Sequence, residues 1–318
     1  MGLIIPFSFL IGGLVILWKA AELLVDGAVS LSQRLGVSSL VIGLTVVAMG
    51  TSAPEVAASI AAAIRGSGDI AVGNVYGSNI ANLALVGGLA ALIRPISVRK
   101  TTLMREIPVM LAVALLLPIF LFDKNLARWE GTVLVAVFII LIFLTIFESR
   151  MKGKADIIEP LSFELKQMTF ARSIIFVIGG LIGLALGAEG TVRGAVVIGR
   201  ASGISEAVIG LTIVAVGTSL PELVTCIVAA LKKQDDISIG NLVGSNIFNT
   251  LLVTGVAAMV RPFGIEPRLI GADYWIMIGV SVVFAVFVLI GRLKITRIEA
   301  LILLGVYTAY IAYLFTFS

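Results

Sequence analysis

The residues best suited to chemistry in this 318-residue chain are two glutamates, each set inside an otherwise apolar stretch and each in the same company. Thr51-Ser52-Ala53-Pro54-Glu55 returns as Thr218-Ser219-Leu220-Pro221-Glu222. A charged side chain at the centre of a bilayer costs roughly 3 kcal/mol on insertion scales, so a carboxylate kept there points to a use. Proline lacks an N–H and its ring clashes with the carbonyl four residues earlier. Pro54 therefore frees the carbonyl of Gly50, and Pro221 that of Gly217. Bare carbonyl oxygens in hydrocarbon need a partner, and a cation can be that partner. Thr51 and Ser52 stand four and three residues before Glu55, a spacing that puts all three on one face of a continuous helix. Thr218, Ser219 and Glu222 repeat that spacing. One short break thus offers a carboxylate, hydroxyls and carbonyls, all hard oxygen donors.

A second motif follows each copy, Gly73-Asn-Val-Tyr-Gly-Ser-Asn79 and Gly240-Asn-Leu-Val-Gly-Ser-Asn246. Ser78 and Asn82 are four apart, as are Ser245 and Asn249, so each pair can line a helix face with neutral oxygens. Calcium takes six to eight oxygen ligands at about 2.3–2.6 Å, which the two repeats together could supply. Two glutamates would balance one Ca²⁺, or two Na⁺ with neutral groups holding any further ion. The chain has no histidine and one cysteine, Cys226, so zinc and copper are disfavoured and any proton chemistry must rest on carboxylates. Cys226 is read as a small packing residue, and one cysteine makes no intrachain disulfide. No nucleophile–base pair and no phosphate-binding loop is visible, which argues against an enzyme, and no resident cofactor is implied. Two further acidic pairs recur at the same offset. Glu22 and Glu189 read as interfacial anchors beside Lys19 and Arg193, with access-path carboxylates as the alternative, and Asp69 and Asp236 read as helix N-caps.

These residues need a scaffold that brings two distant segments together. Setting residues 41–95 against 208–262 gives 31 identities in 55 positions without a gap. Only 13% of the chain is charged, against about 25% in soluble domains. With 59% hydrophobic residues and a mean hydropathy of +1.13, the chain reads as an integral membrane protein. A spanning helix needs about 20 apolar residues. Ten such helices are expected, roughly over 3–31, 38–64, 71–93, 103–122, 128–147, 171–199, 205–231, 238–260, 270–291 and 297–316. The N-terminal apolar stretch lacks a basic flank and reads as a retained helix. The polar stretch 149–170 divides a first five-helix repeat, 1–148, from a second, 171–318. Counting Lys and Arg by loop parity places about 15 on one side and about 6 on the other. That bias predicts both termini outside and 149–170 in the cytoplasm. Five helices per repeat is an odd number, so the second copy must enter the membrane from the opposite side. The expectation is an all-α membrane protein of ten transmembrane helices built as two inverted five-helix repeats, with its site near the midplane.

The paired Gly-Thr-Ser-x-Pro-Glu and Gly-Asn-x-x-Gly-Ser-Asn strings resemble the two alpha-repeats of the sodium/calcium exchanger family, within the cation/calcium antiporter superfamily. The resemblance implies alternating access at one central cluster, with Ca²⁺ and Na⁺ as transported substrates in a cell membrane and no nucleic acid or obligate protein partner. Carried onto this chain, it implies that Glu55 and Glu222 are shared carboxylates and that carbonyls of Thr51 and Thr218 help bind Ca²⁺. Ser52, Ser78, Ser219 and Ser245, with carbonyls of Ala48 and Ala215, would complete the Na⁺ sites, and Asn82 and Asn249 would lie in the central layer. Potassium-dependent members have Asp where Asn249 stands, which argues against potassium dependence here. The 149–170 loop is too short for the regulatory calcium-binding domains of animal exchangers. The rival reading is a proton/calcium antiporter with Glu55 or Glu222 as proton carrier. A cation channel is disfavoured because no pore-loop filter is visible.

Overall fold

The computed structural model describes residues 4–151, 168–203, 209, 213 and 215–317. Among them, eight helices are long and apolar enough to cross a membrane. They are α1 (Ile4–Leu35), α4 (Gly68–Ile93), α5 (Thr102–Phe120), α6 (Arg128–Met151), α7 (Phe170–Ala201), α10 (Asp235–Val260), α11 (Leu269–Ile290) and α12 (Arg297–Phe317). A ninth candidate span is broken into α2 (Ser39–Thr51) and α3 (Ala53–Ile64), bent by 46°. Its counterpart in the second half is described as α8 (Ala215–Thr218) and α9 (Leu220–Leu231). Most of the start of that predicted span, from 205, and most of the predicted linker, from 152 to 167, lie outside the described residues. The other helix ends fall within four residues of the expected ones.

Proline chemistry sets the two breaks. The helix stops at Ser52 (φ −84°, ψ 12°) and at Ser219 (φ −89°, ψ 6°), and a new helix starts with Pro54 or Pro221 in its first turn. There the missing N–H has no intrahelical partner to lose. Short π-helical turns mark further irregularities, at Gly43–Val47 before the first break, at Ala81–Val86 and at Asn249–Val253. Such wide turns inside α-helices are frequent at functional sites. The last two hold Asn82 and Asn249.

Glycine brings helices together where hydrocarbon supplies no drive for them to associate. A Cβ at Gly240 would lie 2.7 Å from the Leu40 carbonyl, and one at Gly244 would lie 2.6 Å from that of Leu44. Those positions fix α10 across α2. The two 32-residue helices α1 and α7 pack along each other in the same way, through Gly13, Gly187 and Gly194, and turn their other faces outward.

Two short ladders tie the halves together. β1 (Ile96–Ser97) pairs antiparallel with β4 (Lys294–Ile295), and β2 (Asn125–Leu126) pairs with β3 (Phe263–Gly264). Arg94 donates to the Ala230 carbonyl at 2.6 Å, and its repeat mate Arg261 donates to the Ile64 carbonyl at 2.6 Å. Asp69 and Asp236 join this lacing and do not cap helices as expected. Asp236 binds Arg99 at 2.6 Å, and Asp69 accepts the Glu266 amide at 2.6 Å, while the capping positions fall to Ser67 and Gln234. The cause is tertiary: each aspartate meets the inter-helix loop of the opposite half, at Glu266 for Asp69 and at Arg99 for Asp236. Glu22 pairs with Lys19 at 2.8 Å and Glu189 pairs with Arg193, both away from the core, in agreement with the anchoring reading.

Candidate functional site

The two broken helices point their interruptions at each other. Glu55 opens α3 and Glu222 opens α9, and both are fully buried. Both stand in the first turn of a helix, where unsatisfied N–H groups favour a negative charge. Ser52, at the first break, donates to Glu222 Oε1 at 2.7 Å and lies 2.9 Å from Ser245 Oγ of α10. Thr51 and Ser52 thus face the glutamate of the other half, and Ser78 and Thr218 face Glu55. Thr51 and Ser52 were expected to share a face with their own Glu55. The bend at Ser52 turns the chain between them and redirects the hydroxyls across the repeat interface.

Around this pairing lies a set of buried polar atoms with no hydrogen-bond partner among the described residues. It includes both oxygens of Glu55, Oε2 of Glu222, the Ser219 hydroxyl, and every side-chain amide atom of Asn82 and Asn249. An unmet buried polar group costs about 1–3 kcal/mol, and more if charged, so a chain rarely keeps several side by side. Carboxylate, hydroxyl and amide oxygens converging without partners are suited to hard cations. Among the described residues no cluster of three or more His, Cys, Asp or Glu exists, so a site for softer metals has no ligand set there.

Each sequence-predicted donor can be placed. Glu55, Glu222, Thr51, Ser52, Ser78, Ser219, Ser245, Asn82 and Asn249 are all buried, and Thr218 is half-buried. Ala48 is buried, but its carbonyl already accepts the Ser52 amide at 3.0 Å and the Thr51 hydroxyl at 3.3 Å. Ala215 begins α8, and its side chain lies outside the described residues.

The sequence reading missed the residues that hold this cluster in shape. Asn74 donates to the Glu55 carbonyl at 3.2 Å and to Ser59 at 2.9 Å. Its mate Asn241 accepts from the Thr51 hydroxyl at 3.0 Å and donates to Cys226 Sγ at 3.4 Å. Ser59 binds the Ala71 carbonyl, and Cys226, which stands where the first half has Ser59, binds the matching Ser238 carbonyl. Cys226 is thus buried as expected and also a working part of a polar relay. The signal was present: Asn74 and Asn241 are the second residues of the Gly-Asn motif and recur in register with the glutamates.

Comparison with known proteins agrees with this geometry. The family model described as sodium/calcium exchanger protein matches residues 5–147 and 172–316. The putative antiporter CaxA of Alkalimonas amylolytica is 38% identical over 318 residues, covering 99% of this chain and 100% of its own length. The sodium/calcium exchanger MaX1 of Methanosarcina acetivorans is 33% identical over 346 residues, covering 98% and 99%. Among solved structures, the sodium-calcium exchanger NCX_Mj soaked with 2.5 mM Na⁺ and 0.1 mM Ca²⁺ superposes with a TM-score of 0.83 at 32% identity over 98% of each chain.

Proposed function

This chain belongs to the sodium/calcium exchanger protein family, and from that premise we propose that it is an antiporter exporting Ca²⁺ in exchange for Na⁺ across the cell membrane. The observation that carries the reading is the central cluster. Two glutamates from opposite halves are fully buried together with hydroxyl and amide groups that have no hydrogen-bond partner among the described residues. The mechanism is competition. Ca²⁺ and Na⁺ both need Glu55 and Glu222, so they occupy the site in turn. Ser52, Ser78, Ser219, Ser245, the carbonyls of Ala48 and Ala215, and Asn82 and Asn249 supply neutral donors to the Na⁺ positions, with carbonyls of Thr51 and Thr218 on Ca²⁺.

The architecture we propose is ten spans in two inverted repeats, 1–148 and 171–318, joined by a cytoplasmic 149–170 loop with both termini outside. Its support is the matched breaks at Ser52 and Ser219, the matched π-turns at Asn82 and Asn249, and the two ladders, which exchange places under the repeat relation. In this reading α1 and α7 slide as a pair across the core to switch access. Their packing on each other through glycine favours such a unit.

Radiolabelled calcium uptake into proteoliposomes preloaded with Na⁺ or with choline at matched pH tests the proposal. Uptake only with internal Na⁺ is the expected result. Uptake that ignores Na⁺ and follows an imposed pH gradient would transfer the protein to the proton-coupled class, with Glu55 and Glu222 as proton carriers.

A further inference from the structure

Asn82 and Asn249 sit in the matched π-turns Ala81–Val86 of α4 and Asn249–Val253 of α10, but the two turns are not held alike. Three side-chain bonds secure the one in α10. Thr250 donates to the Asn246 carbonyl at 2.8 Å, and Thr254 donates to the Asn249 carbonyl at 3.2 Å. The second of these reaches five residues back, the reach of a π-turn. Other threonines in the spans, such as Thr45 and Thr191, reach back four, to the carbonyls of Val41 and Gly187. The third bond crosses between helices. Asn79 of α4 donates to the Thr250 hydroxyl at 2.9 Å, and to Met277 Sδ of α11 at 3.5 Å. The single hydrogen of Thr250 goes to the Asn246 carbonyl, so toward Asn79 the hydroxyl accepts. Amide, hydroxyl and carbonyl form a chain in which each bond polarises the next. Asn79, Thr250 and Thr254 are all buried, next to Ser78 and Asn249 in sequence or one turn beyond.

The first half has no means to build this lacing. Under the repeat relation Leu83 stands where the second half has Thr250, and Gly87 where it has Thr254. Neither side chain can donate or accept a hydrogen bond. Asn246, the mate of Asn79, turns to its own helix and donates to the Leu242 carbonyl at 2.8 Å. The amide atoms of Asn82 and Asn249 have no hydrogen-bond partner among the described residues, so each amide is oriented by the turn that carries it and by packing. Two donors of the same type therefore rest on supports of different stiffness.

We propose that Asn79, Thr250 and Thr254 are positioning residues that hold the Asn249 amide in one place for the cation, while the turn that carries Asn82 yields when one ion replaces another. The proposal rests on the reading of Asn82 and Asn249 as cation donors. Selectivity between hard cations depends on ligand number and on the flexibility of the site. One fixed and one yielding donor let a single cluster take two ions of different coordination in turn and keep its register. The bond from Asn79 to Thr250 also ties α4 to α10 at the level of Ser78 and Asn249, on one side of the cluster only.

NMR of isotope-labelled asparagine side-chain amides in the full chain, without Na⁺ or Ca²⁺, tests this. Each signal is assigned by its loss in the matching Asn→Ala variant. The Asn249 amide should give one sharp pair of signals, and the Asn82 amide a pair broadened by exchange. Thr250→Val should broaden Asn249 and leave Asn82 as it is, and Thr250→Ser should keep the wild-type pattern. Equally sharp signals in wild type, or an Asn249 pair untouched by Thr250→Val, overturn the proposal. In transport, Thr250→Val should weaken apparent Na⁺ affinity by about threefold with the maximal rate kept, the loss of one hydrogen bond between membrane helices. It should add nothing in an Asn249→Ala background and the full threefold in an Asn82→Ala background, because only the first pair shares a support. An equal further loss in both backgrounds overturns the proposal. Should Thr250→Val not fold, Asn79→Ala breaks the same bond from α4 and is read in the same two ways. The amide signals are read without ion flux, so a chain that proved proton-coupled would end the Na⁺ reading while the signals still decide this one.

Discussion

At the centre of the molecule the two halves match almost residue for residue, while along the seam where the long helices meet the core they do not. Central Ser52 and Ser219, Asn74 and Asn241, Asn82 and Asn249 pair type with type. On the seam, Asp26 of α1 binds Lys232 at 2.6 Å just past the end of α9, and Lys232 also reaches the Glu22 carbonyl at 3.4 Å. The repeat mates of Asp26 and Lys232 are Arg193 and Arg65, two like charges. The packing differs as well. α1 lies along α9, whereas α7 makes no comparable run of contacts with α3. Thr218 is correspondingly half-buried where Thr51 is buried. The difference teaches a division of labour. A cargo site that must serve both faces of a membrane does best when symmetric, and the choice of which face is closed needs an asymmetric element. In the proposed inverted-repeat reading this ion pair would latch the Lys232 side, whereas the mates Arg193 and Arg65 carry like charges.

The largest effect should come from breaking the symmetric centre. Glu55→Gln and Glu222→Gln keep the shape and remove a charge, and each should lower calcium uptake by roughly a hundredfold or more, since losing one partner of a buried charged set costs about 2–5 kcal/mol. Monodisperse elution of both variants with near-wild-type flux would remove the glutamates from the site. Next, Asn82→Ala and Asn249→Ala should each weaken apparent Na⁺ affinity by about tenfold, measured as the Na⁺ dependence of uptake, because each deletes one oxygen donor to a charge. Equal effects of the two would sharpen the symmetry, and an effect of only one would break it.

The seam should respond differently. Asp26→Asn should shift access by a few-fold at most without abolishing flux, because a half-exposed ion pair is worth about 0–1 kcal/mol. Spin-label distances between α1 and α9 read the shift. The swap of Asp26→Lys with Lys232→Asp should restore it, and Arg193→Asp, which offers Arg65 a partner, should push the distribution the other way. Unchanged distances in all three would rule out the latch. The smallest effect is expected for Cys226→Ser. The first half already has Ser59 at that place, donating to a matching carbonyl. Flux should stay within about twofold and Tm within about 2 °C, inside the range of a substitution that preserves its hydrogen bonds.

Much of this molecule is readable in one dimension because the physics behind it is local. Hydropathy marks the spans, since each must cross hydrocarbon on its own. Proline marks the breaks at Ser52 and Ser219, since a missing N–H and a ring clash act within one turn. The donor types of the central cluster are likewise visible as residue types at a repeated offset. What tertiary structure alone decided are the partners. Ser52 meets Glu222 across 170 residues, Thr51 meets Asn241 across 190, and Asp236 meets Arg99 across 137. The expected helix-face pairing of Thr51 and Ser52 with Glu55 failed because a 46° bend redirected them. Asp69 and Asp236 failed as caps because an inter-helix loop of the other half engages each of them. Residue chemistry and chain continuity determine what each segment can be, and packing between distant segments determines what it touches.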